Sequence, residues 1–512
     1  MSAAAPDPRS ATAEAPDLTP LALRHLALAA LTMVLLAMAT YLLPGLSRFR
    51  PWIAGEQVPI VRMFVGEGAD LSLPTFAEAG GGADRIEQSL GAEVAASLAD
   101  VESGVTGQSG DAQTPARSAG PAVRIAPSEY EGVTQQLEGA HQLSNFFAAL
   151  ERSARKQSGA ITRVAHYGDS AVAADQITRT LRRRLQVRFG DSGHGYMLIA
   201  RGDMHYGHRD IKHRSSDGWL MQSLVRSRLN DGWYGYGGVR GQATGGAHSF
   251  FGTIKKGPIG THVKRFEVHY QRHRKGARMW LSVDKKTVRK INTRQKEKED
   301  AWERIELPTD GKHSLGVKIR GAGQSHIYGV VFERDVPGVV YDSLGLVGAR
   351  AQRLLNANPE HMQRQIAHRA PNLLVLAFGG NEAGNQWLDL DRYERELISV
   401  VQAMRRGRSD MDCVLFGPLD QGEIDKRGNI VTMDVLPKIV EVQRRVARGQ
   451  RCAFYDTFSA MGGEHSVRKW YNSKPRLVSS DYRHATPRGY HVIGNMYYKA
   501  LLRAFAEYLK KK

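Results

Sequence analysis

Three short stretches, far apart in the chain, hold residue types that together could carry out acyl chemistry. Gly168-Asp169-Ser170 puts a hydroxyl where an apolar run at 161–167 gives way to a helical pattern starting near Val172. Asp481-Tyr482-Arg483-His484 sets an acid and an imidazole three residues apart, and Gly379-Gly380-Asn381-Glu382 brings a side-chain amide to the end of another apolar run. Attack on an ester needs a hydroxyl at an exposed strand end, a histidine to take its proton, an acid to orient the histidine, and N–H donors for the oxyanion. Asn381 and the small-residue loop Leu344-Gly345-Leu346-Val347-Gly348-Ala349 could supply such donors. Taken alone, Gly-Asp-Ser reads more simply as a helix cap, because aspartate and serine side chains accept from the first free N–H groups of a helix. The downstream amide and acid/imidazole pair tip Ser170 toward a nucleophile.

To meet, these residues must sit at one end of a common scaffold. Short apolar runs at 161–167, 339–342, 372–378, 413–416 and 452–455 alternate with helical patterns near 172–189, 349–355, 392–405 and 436–447, and a last helix follows Pro487. Continuous apolar strands alternating with helices predict a three-layer α/β/α domain with a parallel central sheet. Sites in such sheets form at the carboxyl ends of the strands. Proline favours the first turn of a helix, so Asp481 and His484 fall in the loop that enters the last one. Between 206 and 335 the pattern changes to period-two segments, such as 263–270, 278–283 and 314–319, with many glycines. That pattern predicts an inserted β-sandwich.

The expected organisation is a polar tail at 1–20, a transmembrane anchor at 21–44 and a largely flexible spacer at 45–130. The first part of the α/β domain follows at 131–205, then the insert at 206–335 and the second part at 336–512. Residues 26–43 carry no charge and match the length of a bilayer core. A cleaved signal peptide is the competing reading, given Ala37-Met38-Ala39, but Tyr41-Leu42-Leu43 carries the apolar run past that point. The net charge of +19 and pI near 9.8 favour anionic partners. Much of that charge lies in the insert, for instance at Lys285, Lys286, Arg289, Lys290, Arg294 and Lys296. Cys413 and Cys452 are expected as buried free thiols, with one disulfide as the alternative. His194, His205, His208 and His213 lack a carboxylate or cysteine at ligand spacing, so no metal is expected. Nothing resembles a base-reading module, and no nucleic-acid partner is expected.

In their order along the chain, Gly168-Asp169-Ser170, Gly348, Gly379-Gly380-Asn381 and Asp481-Tyr482-Arg483-His484 resemble the four sequence blocks of the SGNH, or GDSL-like, hydrolases. The resemblance covers about 136–508 apart from the insert. It implies that Ser170 is the nucleophile, His484 the general base and then acid, and Asp481 its orienting partner. It further implies an oxyanion hole made of the backbone N–H groups of Ser170 and Gly348 with the Asn381 amide. Two positions depart from the family: Ala171 stands where a leucine is usual, and Glu382 where an aspartate is usual. The β insert after the first block, together with the membrane segment, resembles bacterial peptidoglycan O-acetylesterases with a carbohydrate-binding-like insert. This implies an acetylated polysaccharide or peptidoglycan as substrate, no cofactor, and an exported domain held at the cell membrane by a single span. Trp233, Tyr234 and Tyr236 are then candidates to face sugar, set against the core packing usual for aromatics. A polysaccharide O-acetyltransferase on the same scaffold and a non-catalytic binder of anionic polymer are the alternatives.

Overall fold

The computed structural model describes residues 123–512, together with Thr32. The expected polar tail at 1–20, the expected membrane segment at 21–44 apart from Thr32, and nearly all of the spacer lie outside these residues. Among the described residues no helix is long and apolar enough to cross a membrane.

Five parallel strands form the central sheet, in the order Gly338–Gly345, Ile161–Gly168, Leu373–Ala377, Asp412–Phe416 and Ala453–Tyr455. Successive strand residues point to opposite faces, and here both faces are buried. Val164, Val375 and Val414 pack into one core with the helices Ile177–Phe189 and Pro487–Lys510. Ala165, Leu374 and Leu415 pack into another with the helices Leu390–Arg405 and Leu436–Gly449. This two-sided burial is why the strands read as largely apolar runs without period-two alternation. The register sets Gly168 beside Gly345 on one side and Ala377 on the other. Three strands therefore end at one level, and the loops that follow them share one rim.

The insert is a two-sheet antiparallel sandwich. One sheet runs Glu299–Gly311, Val263–Arg272, Ser325–Glu333, Val239–Ala243, Trp219–Ser223, and the other runs Ile211–Ser215, His248–Thr253, Ser314–Arg320, Arg278–Val283, Lys286–Asn292. Phe251, Phe266, Met279, Leu315 and Phe332 fill the space between them. The first sheet also takes in Gly195–Leu198, which pairs with Ser325–Glu333 upstream of residue 206. That strand is buried throughout and shows no alternation to mark it in the sequence.

Cys413 and Cys452 are joined in a disulfide, with their Cα atoms 4.7 Å apart, which corrects the expectation of free thiols. The reason lies in the pairing. Val414 sits beside Ala453 in neighbouring parallel strands, so the cysteines one residue earlier in each face one another.

Candidate active site

The strand Ile161–Gly168 turns sharply into a one-turn helix, Ser170–Ala173. A Cβ on Gly168 would lie 2.4 Å from the Val172 side chain, and one on Gly345 would lie 2.0 Å from the Ala173 backbone N. Both positions need glycine because the helix folds directly back onto the strand ends. The capping bond comes from Asp169, whose carboxylate accepts from the backbone N–H of Ala171 at 3.1 Å. Ser170 is thus left out of the cap, and its Oγ lies 3.0 Å from Nε2 of His484.

The opposite ring nitrogen of His484, Nδ1, lies 2.6 Å from Oδ2 of Asp481. The other oxygen of Asp481 accepts from the backbone N–H groups of Arg483 and His484, both at 3.1 Å, a turn that aspartate side chains favour. Burial pushes the Asp481 carboxyl up, but the bonds from His484 and the two N–H groups outweigh it and hold the carboxyl below its ordinary range. Gly422 N–H donates to the Tyr482 carbonyl at 2.8 Å and pins the loop from outside. Pro487 opens the following helix, capped by Thr486, as its place in the sequence predicts. Both side chains of the acid/imidazole pair are about half-exposed.

Nδ2 of Asn381 donates to the Ala349 carbonyl at 2.9 Å and to Asp169 at 3.3 Å. The amide is therefore turned toward the nucleophile turn and the neighbouring loop at once. Glu382, one of the two departures from the family pattern, is what ties these loops together. It accepts from Gly379 N–H at 3.0 Å and from Ala351 N–H at 2.8 Å. Burial pushes the Glu382 carboxyl up to about 7 and that of Asp169 up to about 6.

Ser170, Asn381 and His484 line a cavity of about 150 Å³ with Phe378, Phe416 and Leu419. Gly348 stands outside that lining. It is exposed, with φ of 76°, in a turn closed by Ala349 N–H donating to the Leu346 carbonyl at 3.0 Å. Its glycine is explained by that left-handed conformation. Gln421 was missed by the sequence reading. It lines the same cavity, and its buried Oε1 has no partner among the described residues. Its one sequence signal is its place in the loop after the strand Asp412–Phe416.

Trp233, Tyr234 and Tyr236 do not face the cavity, and the structure buries all three. Tyr234 and Tyr236 belong to a core cluster, where Tyr167 Oη donates to the Tyr236 carbonyl at 2.6 Å. Trp233 stacks on His361 at 4.6 Å, with Lys298 and Arg364 over its ring. A strongly exposed aromatic lies elsewhere: Trp387 is 90% exposed, in the loop that leaves the cavity at Gly384. His194 and His208 are buried, with Nε2 of each on a backbone carbonyl, of Gly260 and of His194 respectively. On the insert, Lys285, Lys286, Arg289 and Lys290 lie on an exposed edge.

Fold and site together define a serine hydrolase of the SGNH type. Residues 312–492 match the GDSL-like Lipase/Acylhydrolase family, and the chain carries a domain of that kind. Among solved structures, a peptidoglycan O-acetylesterase shares the fold at 21% identity and a TM-score of 0.59, over 72% of this chain and 97% of that one. A family two carbohydrate esterase from Cellvibrio japonicus aligns at 12% identity, over 58% of this chain and 99% of that one, with a TM-score of 0.25. An acetyl xylan esterase aligns at 16% identity, over 32% and 80%, also at 0.25. No curated protein matches the chain in sequence.

Proposed function

We propose that this protein removes O-acetyl groups from a cell-wall or extracellular polysaccharide through an acyl-enzyme on Ser170. The observation that carries this reading is the unbroken relay from Ser170 Oγ to His484 Nε2 and from His484 Nδ1 to Asp481. Ser170 attacks the ester carbonyl while its proton passes to His484, and Asp481 stabilises the imidazolium that forms. The Asn381 amide and the backbone N–H of Ser170 take the developing oxyanion, while Gly348, outside the cavity lining, takes no part in it. His484 then returns the proton to the departing sugar oxygen, and a water molecule activated by the same imidazole releases acetate.

Three features support the details. The cavity beside Ser170 is small, in keeping with an acetyl group and not a long acyl chain. The relay is half-exposed, which admits water and favours hydrolysis over transfer to a second sugar. The Cys413–Cys452 disulfide and the uncharged run at 26–43 fit an exported domain held at the cell membrane, since disulfides persist in oxidising compartments. The basic edge of the insert would hold an anionic polymer, and the Trp387 ring would meet the sugar that bears the ester.

The test is acetate release from acetylated peptidoglycan and from acetylated exopolysaccharides. Ser170→Ala is expected to lower it by about 10⁴-fold or more, and equal release by wild type and variant would sink the reading. Acetate transferred to an added sugar acceptor in place of free acetate would make the protein a transferase. Trp387→Ala is expected to raise KM for the polymer several-fold while leaving p-nitrophenyl acetate hydrolysis unchanged, as assayed side by side.

A further inference from the structure

A second cavity, of about 240 Å³, lies toward the other end of the central sheet. Arg163 lines it from the strand Ile161–Gly168, and the extended chain from there to Ser170 spans about 23 Å. His368 and Arg369 reach it from the end of the helix Pro359–Arg369, while Arg265, Arg304 and Glu333 come from three strands of the insert. The cavity therefore sits where insert and α/β domain meet, away from the ester site.

Its charges do not cancel internally. Arg369 is held by Asp342, with bonds of 2.8 and 2.9 Å, and its remaining Nη1 donates to Glu333. Glu333 accepts from Arg163 at 2.9 and 2.8 Å and from Arg265 at 2.7 Å, while Glu267 accepts from Arg304 at 3.1 Å. Three guanidiniums thus share two buried carboxylates, and the two further acids that meet Arg265, Asp335 and Glu306, stand at the rim, 51% and 53% exposed to solvent. Nη1 of Arg163, Nε of Arg265 and Nη1 of Arg304 have no protein acceptor among the described residues. Surplus guanidinium N–H groups around a polar cavity are what an oxyanion requires. Donors arriving from three strands suit a tetrahedral group better than a planar carboxylate.

One cluster beside the cavity could be mistaken for a metal centre. Glu267, His269 and His368 hold ligand atoms within 4.8 Å of one another. Both histidine Nε2 atoms already lie on one oxygen of Glu267, at 2.9 and 2.8 Å, and Arg304 sits on the other. A dication there would meet the arginine charge at close range, whereas an anion would be drawn to it.

We propose that this cavity binds a phosphoryl group, free or carried on a larger molecule, between the insert and the α/β domain. The experiment uses the full chain bearing Ser170→Ala, so that its outcome does not depend on esterase activity. Calorimetric titration with inorganic phosphate at fixed pH and ionic strength is expected to show saturable binding at one site per chain. Arg304→Gln, a change at a largely exposed side chain, should weaken that binding by about tenfold. Arg392→Gln on the exposed face of the helix Leu390–Arg405 should leave it unchanged. Equal binding of glycerol 3-phosphate would assign the site to a phosphoryl group on a larger ligand, and binding of phosphate alone would assign it to the free ion. No saturable phosphate binding, or equal loss in both arginine variants, would overturn the proposal. So would saturable Zn²⁺ binding that is lost in Glu267→Gln and has no phosphate counterpart.

Discussion

Two sets of carboxylates flank Ser170, and they behave in opposite ways. Asp481 lies on the solvent side, half-exposed, and its bonds to His484 and two backbone N–H groups hold it ionised below the ordinary range. Asp169 and Glu382 lie behind the nucleophile, where burial raises both and the Asp169 charge adds to the cost of ionising Glu382. Residue type alone does not separate them. A carboxylate that partners a histidine acts on the proton in flight, while one that gathers backbone N–H groups acts on the shape of the loops.

Breaking the exposed set should have the larger effect. Asp481→Asn keeps the shape of the loop but no longer favours the His484 tautomer that leaves Nε2 free to accept. It is expected to lower kcat by about 10⁴-fold with KM little changed. A loss below about tenfold in steady-state assays would mean that another group orients His484. Next comes the oxyanion amide, which Asp169 and Ala349 hold in place. Asn381→Ala is expected to lower kcat by about 10² to 10³-fold. An unchanged kcat would assign the oxyanion to backbone donors alone.

The exposed set was legible in the sequence and the buried set was not. Ser170, Asn381 and the Asp481/His484 pair each follow a strand or precede a helix that announces itself, because parallel strands covered on both faces read as apolar runs and Pro487 marks a helix start. The work of Glu382 depends on two loops meeting, at Gly379 and Ala351, which no local pattern records. The same holds for the disulfide, which needed the register of Val414 with Ala453, and for Gln421, whose unpartnered oxygen is a fact of packing. Trp233, Tyr234 and Tyr236 failed for a different reason. Composition showed that aromatics are concentrated there, but not whether they point into the core or out to a ligand, and the fold turned them inward. The strand Gly195–Leu198 escaped because a strand buried on both faces inside a sandwich carries no alternation.

The buried set should show itself in stability before it shows itself in rate. Glu382 titrates near 7 in the folded chain and near 4.5 when unfolded, so between those values the folded state binds more protons than the unfolded one. Stability must then fall as pH rises through that window, and Asp169, at about 6, adds to the fall in its lower part. The trend is opposite in sign to the contribution of Asp481, whose lowered value favours the folded state at higher pH and loses that contribution under acid. Thermal melts from pH 5 to pH 8 are expected to show Tm declining for the wild type and declining less for Glu382→Gln, which cannot ionise. The variant should also lose about 1 kcal/mol at pH 5, because its amide NH₂ faces a backbone donor that the carboxyl oxygen accepted. Identical slopes in the two proteins would mean that Glu382 stays ionised on its two N–H donors, and that the buried set differs from Asp481 in position but not in charge.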